Sequence, residues 1–491
     1  MKEDERVNMV WRGMGVLLVT VQAIVSVMLI VSLMKMGVIA NWIIVLIGIF
    51  LGIVLALNVV ILLVLKKVNV IARIVCLVLG LVAIVGCLMV MRYADAFSGF
   101  LNRVTERRRE TKAYSVVVKD ESAVGELDEL KGKNVGFLKT DKLAPKAEQY
   151  LNTQVKINAR FYDDIDTLIG VLGSEFSDAI VLESERIQVM QDEVEGEIVQ
   201  MREIYTFEIE LDEESYELSS RSITTEPFIV YISGIDSRAG LQTASLSDVN
   251  IVVVVNPRQG KMLLASIPRD TYVQLHDTVG LKDKLTHAGM YGIGMSKATI
   301  EDFLGIQIDH TIKVSFATVV DVVNQLDGIE IYSDTNLHLT AFNGETCNYV
   351  VGKQVVDGDC ALRFARERKS YATGDLHRGA NQQEVITGIV KKLSGSKDYL
   401  LKLPEILEVV ADSFETSLSR DEITGFIRMQ LDSPKDWQVE SIAVNGEGIL
   451  SPTYSMGENQ PLYVMIPDME SVQNMTKMIN SYLIDNALET D

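Results

Sequence analysis

The segment ALRFARERKSYATGDLHRGANQQEVI, Ala361 to Ile386, gathers Arg363, Arg366, Arg368, Lys369 and Arg378 in a chain whose formal net charge is −21. Four of these five basic residues are arginine. A solvated basic face would be served equally well by lysine. The planar guanidinium is the better match where two phosphate oxygens are gripped at once. LHRGANQQEVITGIVKKL reads as an amphipathic helix with Arg378 near its start, and a helix N-terminus favours an anion. DCALRFAR, just before, has helical character, and Arg366 and Arg368 share one side if the chain is extended there. Together these residues point to a ligand that carries several phosphate charges.

A second set of charges falls at the ends of apolar runs. PFIVYISGIDSR closes on Asp236 and Arg238, SDVNIVVVVNP opens with Asp248, and KMLLASIPRD closes on Arg269 and Asp270. Such runs read as buried strands of a central sheet. If they are neighbours of alternating direction, the end of the first, the start of the second and the end of the third share one sheet edge. Asp236, Asp248 and Arg269 then converge. Two carboxylates beside a guanidinium suit a hard divalent cation next to a phosphate. Taken one at a time, each residue is also explained as a polar cap on a strand end.

The chain has 491 residues, enough for two or three domains. Its mean hydropathy is +0.18 although 23% of its residues are charged, as expected of a membrane segment joined to a soluble part. Three apolar runs, roughly Met14–Met34, Ile39–Leu65 and Ile71–Met91, are each long enough to cross the hydrocarbon core. A single cleaved signal peptide would account for only the first. Lys2, Arg6 and Arg12 precede the first run, and Lys66, Lys67 and Arg73 flank the second connection, whereas the first connection carries only Lys35. This bias makes both basic segments cytoplasmic and places everything after Arg92 outside the cell. RVTERRRE (Arg103–Glu110) runs against the bias; it reads as a solvated linker helix or as a segment resting on lipid headgroups.

Residues 101–491 hold 38 basic and 63 acidic side chains, a net charge of −25. So acidic an exterior argues against a nucleic-acid partner, and no helix-turn-helix pattern occurs. With five histidines and no CxxC or HExxH pattern, a zinc site is not expected. Cys76 and Cys87 fall in the third apolar run as packing residues. Cys347 and Cys360 fall in the external part, where a disulfide is permitted, and we expect them to be bonded; the alternative is two isolated thiols.

Between the spans and the charged motifs, residues 113–222 read as a small α/β domain. AYSVVV, KNVGFL and FSDAIVLES are strand-like, and KLAPKAEQYLN and DDIDTLIGVLGS helix-like. DELKGKNVGFLKTD resembles one lobe of an extracytoplasmic solute-binding protein, but no second lobe follows, so an accessory or interaction role is expected. The acidic run Gln191–Glu217 reads as a solvated boundary.

ISGIDSR, SDVNIVVVVNP, LLASIPRDTYV, KLTHAGMYG, VVNQLDGIEI and the arginine segment occur in that order across Pro227–Leu393. Together they resemble the LytR-CpsA-Psr family of Gram-positive cell-envelope proteins. The three spans with the accessory segment resemble its capsule-associated streptococcal branch. The resemblance implies an α/β/α catalytic domain with a central mixed sheet and an apolar channel for a polyprenyl tail. The expected organisation is a cytoplasmic tail (1–13), three transmembrane helices (14–92), a linker (93–112), an extracellular α/β accessory domain (113–222) and the catalytic domain (223–485). The implied activity is Mg2+- or Mn2+-dependent transfer of a phosphorylated glycopolymer, a capsular polysaccharide in this branch, from a polyprenyl-pyrophosphate carrier to peptidoglycan. By motif position Asp236 and Asp248 hold the metal; Arg269, Arg366, Arg368 and Arg378 grip the pyrophosphate; Gln382 hydrogen-bonds to it. Arg238 and Asp270 support the catalytic set, and the base is either Asp236 or a metal-bound hydroxyl. The expected partners are the lipid-linked glycan, peptidoglycan, the membrane and capsule-assembly proteins. Two alternatives are a polyprenyl-pyrophosphate phosphohydrolase, which would use the same site with water, and a non-catalytic envelope regulator. Two positions depart from the family pattern: Asp327 stands where a second glycine is frequent, and Gly289 where a tyrosine is common. The apolar run TIKVSFATVVDVVNQL (Thr311–Leu326) suits either the lipid channel or an ordinary core.

Overall fold

The computed structural model describes residues 2–65, 68–106, 109–193, 200–211, 221–236, 240–371, 374–396, 399 and 403–484. Arg238, Lys66 and Lys67 lie outside the described residues. The chain divides into two compact units, 1–105 with 396–411 and 419–435, and the remainder.

The first unit is built on α1 (Lys2–Met36), α2 (Asn41–Val59) and α3 (Val70–Thr105). These supply three segments long and apolar enough to cross a membrane, Met9–Met36, Asn41–Val64 and Val70–Thr105. Val25, Leu29 and Leu33 of α1, Ile44 and Leu51 of α2 and Ile84 and Cys87 of α3 pack together. The faces turned away from that seam stay apolar, with Leu17, Val27, Ile49, Ile53 and Leu81 exposed, as a lipid-facing surface requires. Asn58 donates to Gln22 at 2.8 Å inside the bundle. The helix Arg420–Asp432, opened by a capping box between Ser419 and Glu422, joins this unit. Arg420 donates to Asn102 Oδ1 at 2.9 Å and to the Lys35 carbonyl at 2.8 Å, and Arg428 donates to the Ile39 carbonyl at 2.8 Å.

Among its described residues the second unit holds two large sheets and four two-stranded ones. The first joins β1 (Thr111–Lys119), β2 (Asn134–Leu138), β3 (Asn158–Tyr162), β4 (Ala179–Glu183) and β5 (Met201–Glu210) in the order β3-β2-β4-β1-β5. β1 is antiparallel to β4 and β5, whereas β2 is parallel to β3 and β4. One face packs on α4 (Ala144–Gln154) through Ala147 and Leu151. The other packs on α5 (Ile165–Gly170) and α6 (Ser184–Glu193) through Leu168, Ile187 and Met190. The acidic run after Gln191 is therefore no simple solvated boundary: Met201–Glu210 is paired with β1 along its length. Glu208 and Glu210 alternate with Phe207 and Ile209, which reach the core, and period-2 alternation is what a half-buried strand requires.

The second sheet has six strands. Its centre is β6 (Phe228–Ile235), β7 (Ser247–Asn256) and β8 (Lys261–Ser266), each antiparallel to its neighbour. His310–Ser315 adds parallel to β6 and Gln438–Ala443 adds parallel to β8. Phe414–Thr416 closes the far edge. Val252, Val254, Leu263 and Ala265 meet Ile300, Leu304, Met475 and Ile479 from the helices Ile293–Leu304 and Met469–Leu483. All eight are buried, each such side chain contributing about 1.5–3 kcal/mol. The helix Asp375–Ser394 crosses the opposite face, where Gln383 donates to the Leu264 and Ile442 carbonyls at 2.8 Å each. The result is an α/β/α arrangement around a mixed sheet.

Both departures from the family pattern have physical readings. Asp327 has φ +54°, a left-handed conformation in which glycine carries no Cβ penalty. At Gly289 a Cβ would lie 2.3 Å from the Ser245 carbonyl oxygen and 2.9 Å from the Ser247 nitrogen. A tyrosine is excluded here because the segment leading into β7 lies directly against the glycine. That segment leads directly to Asp248, the second residue of β7.

Candidate functional site

The antiparallel order β6-β7-β8 puts the end of β6, the start of β7 and the end of β8 at one edge, as the strand argument requires. Asp236 follows β6 directly. A bulge after Gly234 pairs Ile235 with Ser247 and brings Asp248 to the same edge. Arg269 follows β8, and its Nη1 donates to Asp248 Oδ1 at 2.7 Å. A cleft here is lined by Asp248, Asn250, Arg269, Asp375, Arg378 and Gln382, among others. Four residues singled out by motif, from three separate elements, thus share one surface.

The helix Asp375–Ser394 supplies the far wall. Its first turn carries Asp375 and Arg378, paired at 2.6 Å. One turn on, Gln382 faces the cleft while Gln383 is buried against β8. The two adjacent glutamines therefore face different ways, one toward the cleft and one toward the sheet.

Arg366 and Arg368 do not share partners. Arg366 caps the helix Gly358–Ala365. It donates to Asp236 Oδ2 at 2.9 Å and lies over Phe316 and Phe342, 4.6 and 4.8 Å from the ring centroids, a cation–π arrangement. The Arg368 side chain is exposed and makes no hydrogen bond to a described residue. Asp236 is half-exposed and lines the arginine rather than the cleft of Arg269. Cys347, on the strand Thr346–Tyr349, is disulfide-bonded to Cys360 in the helix that ends on Arg366. The bond ties a surface hairpin to the element that aims this arginine.

Asp270 lies behind Arg269, nearly buried, 3.0 Å from Lys284 Nζ and 3.6 Å from Arg269 Nε. Burial opposes its charge, but Lys284 and Arg269 outweigh burial and hold its pKa below the ordinary carboxylate value. For Arg269 burial likewise disfavours the charged form, yet Asp270, Asp248 and Glu193 push its pKa up. Arg378 is shifted the other way, down, by burial first and then by the neighbouring Arg269. Asp375 is pushed up by burial. Arg269 thus meets Asp248, Glu193 and Asp270, whereas Arg378 pairs with Asp375.

Sequence reasoning did not find Glu193, Lys284 or Asp375. Asp375 was legible, three residues before Arg378 in a helical pattern. Glu193 and Lys284 carried no signal, because their partners are distant in sequence. A buried Asp283–His287–Ser455 trio lies nearby but is no nucleophile: Asp283 and Ser455 both contact His287 Nδ1, at 2.6 and 2.8 Å. A relay needs them on opposite ring nitrogens.

The two carboxylates expected to hold a divalent cation lie apart in their contacts, Asp248 lining the cleft and Asp236 paired with Arg366. Mg2+ takes one or two carboxylates and completes its shell with water and substrate phosphate. Asp236 and Asp248 each give one oxygen to an arginine. No larger cluster of carboxylate, histidine or cysteine ligands lies among the described residues, so an all-protein cage is not what this edge offers.

Residues 200–480 match the family model LytR_cpsA_psr. A similar curated protein is the polyisoprenyl-teichoic acid–peptidoglycan teichoic acid transferase TagU of Enterococcus faecalis, 37% identical over 40% of this chain and 64% of its own. The TagU of Bacillus anthracis is 28% identical over 55% of this chain and 84% of its own. The chain thus spans just under two thirds of the first relative and more of the second. A crystal structure of B. subtilis TagV is similar at 26% identity with a TM-score of 0.45, over 53% of this chain and 98% of that one.

Proposed function

The chain belongs to the LytR_cpsA_psr family, and on that premise we propose that it is a membrane-anchored phosphotransferase. Its reaction moves a phosphorylated glycopolymer from a polyprenyl-pyrophosphate carrier to peptidoglycan. The observation that carries this reading is the convergence of Asp248, Arg269, Arg378 and Gln382 on one cleft. Phosphoryl transfer needs positioning and charge neutralisation more than covalent help. The relatives' names specify teichoic acid. A capsular polysaccharide as the cargo rests on the three-span anchor and the additional five-stranded sheet.

In this reading Arg269 and Arg378 grip the pyrophosphate across the cleft, Gln382 donates to it, and Arg366 and Arg368 meet its outer oxygens. Arg366, held over Phe316 and Phe342, stands where charged headgroup gives way to apolar tail. Asp236 and Asp248 would hold Mg2+, which supplies further neutralisation of the phosphate charge. The acceptor hydroxyl oxygen bonds to the glycan-side phosphorus, the bond to the bridging oxygen breaks, and polyprenyl phosphate leaves with the electron pair. Asp236, half-exposed at the edge, is the candidate to take the hydroxyl proton. The basic residues around the spans put the N-terminus inside and the cleft outside.

The test is the full-length protein in liposomes with a radiolabelled polyprenyl-pyrophosphate glycan, peptidoglycan and Mg2+. Label incorporated into peptidoglycan supports transfer. Release of free glycan phosphate with no incorporation means hydrolysis, and neither outcome means a regulator. Teichoic and capsular donors run side by side identify the cargo.

A further inference from the structure

α6 belongs to the five-stranded sheet, yet it presents two charged side chains to the six-stranded part of the unit. Arg186 is bonded to Glu183 at 2.6 Å. It also donates to the Ser455 carbonyl and to the Tyr291 hydroxyl. Seven residues on, close to two helical turns and so on the same face, Glu193 accepts from Arg269 Nη2 at 3.1 Å and from Lys284 Nζ. Arg186 thus fastens the start of the helix, and Glu193 reaches the cleft wall from its end.

The position of Glu193 is locally unfavourable. Burial disfavours the charged form of a carboxylate, and this one is only 19% exposed. Arg269 and Lys284 are 15% and 3% exposed. Asp248 holds one edge of the Arg269 guanidinium and Glu193 holds the other. Without Glu193 only the hydrogen bond to Asp248 and the longer 3.6 Å ion pair to Asp270 would hold the plane of that group. We propose that Glu193 is a positioning residue, by which the accessory sheet aligns Arg269 at the phosphate-gripping wall of the cleft, with Lys284 buried behind it. This rests on the phosphotransferase reading above.

The test compares Glu193→Gln and Glu193→Asp with wild type in the full-length protein, with Arg269→Ala as control. Affinity for inorganic pyrophosphate with Mg2+, transfer kinetics and Tm are all measured. Positioning predicts a split. Glu193→Gln binds inorganic pyrophosphate at least as tightly as wild type, because a negative charge has gone. Its kcat falls roughly tenfold or more, as misplacement by a fraction of an ångström allows, and Glu193→Asp recovers part of the loss. A merely structural role would lower binding and kcat together, in proportion to folded protein, and would overturn the proposal. Wild-type kcat in Glu193→Gln would overturn it too; should that variant not fold, wild-type kinetics in the shorter Glu193→Asp would do the same. If Arg269→Ala binds pyrophosphate like wild type, the reading of the cleft itself fails. If Arg269→Ala loses binding while Glu193→Gln is kinetically normal, only the role of Glu193 fails.

Discussion

Arg269 and Asp248, twenty-one residues apart in sequence, are joined by a 2.7 Å ion pair across the β7–β8 edge. The pair links an expected phosphate-gripping cation to an expected metal-holding carboxylate, so disturbing either affects both functions.

The arginines are expected to differ in rank. Arg378→Ala removes a cation from the cleft and should weaken binding of a polyprenyl pyrophosphate by roughly 1.5–3 kcal/mol, ten- to a hundredfold. Arg366→Ala and Arg368→Ala should also weaken it, with Tm close to wild type for the exposed Arg368. Lysine at 378 should rescue only in part, because an ammonium cannot reproduce the guanidinium fork. Titration of each purified variant measures the loss, and wild-type affinity in all three would mean a solvated basic face.

Asp236→Ala and Asp248→Ala should act on the metal dependence. Both are expected to abolish Mg2+-stimulated turnover while some lipid binding remains. Asp248→Ala should lower Tm as well, since it leaves Arg269 mostly buried with one fewer counter-charge. Turnover against Mg2+ concentration is the readout; an unchanged Mg2+ response in both variants would remove these carboxylates from the metal's role.

Gly289→Ala tests the close approach behind Asp248. The added Cβ collides with the Ser245 carbonyl, and such overpacking costs roughly 1–3 kcal/mol. Thermal unfolding should show the loss, and turnover should drop through displacement of Asp248. A variant as stable and active as wild type would show that the segment yields freely.

Acid should loosen the wall of the cleft. Glu193 and Asp270 are each opposed by burial but held below the ordinary carboxylate value by Lys284 and Arg269. Their stabilisation is therefore present above about pH 4 and is lost as pH falls through the lowered values. Asp375, raised by burial, has the opposite sign, its contribution present below the ordinary value and lost as pH rises through the raised one. Asp270→Asn should lower Tm at pH 7 and flatten the fall of Tm below about pH 5. Parallel curves for variant and wild type would rule out Asp270 as a source of the acid sensitivity.

Much of this protein was legible in sequence because its signals are local. Apolar runs of spanning length mark the three helices, and period and turn residues mark the strands. The alternation of β6, β7 and β8 follows from adjacent strands joined by short connections, which is why Asp236, Asp248 and Arg269 could be placed at one edge. What tertiary structure decided lies between distant segments. The sequence could not say that Gln382 and Gln383 face opposite ways, because that depends on where the helix meets β8. Nor could it say that Arg366 pairs with Asp236 while Arg269 takes Asp248. The acidic run after Gln191 looked like solvated charge, since composition alone cannot distinguish a glutamate in water from one between two buried cations. Glu193 becomes a partner of the cleft residue Arg269, 76 residues away in sequence, only when α6 is laid against the six-stranded part, and only the fold sets that distance.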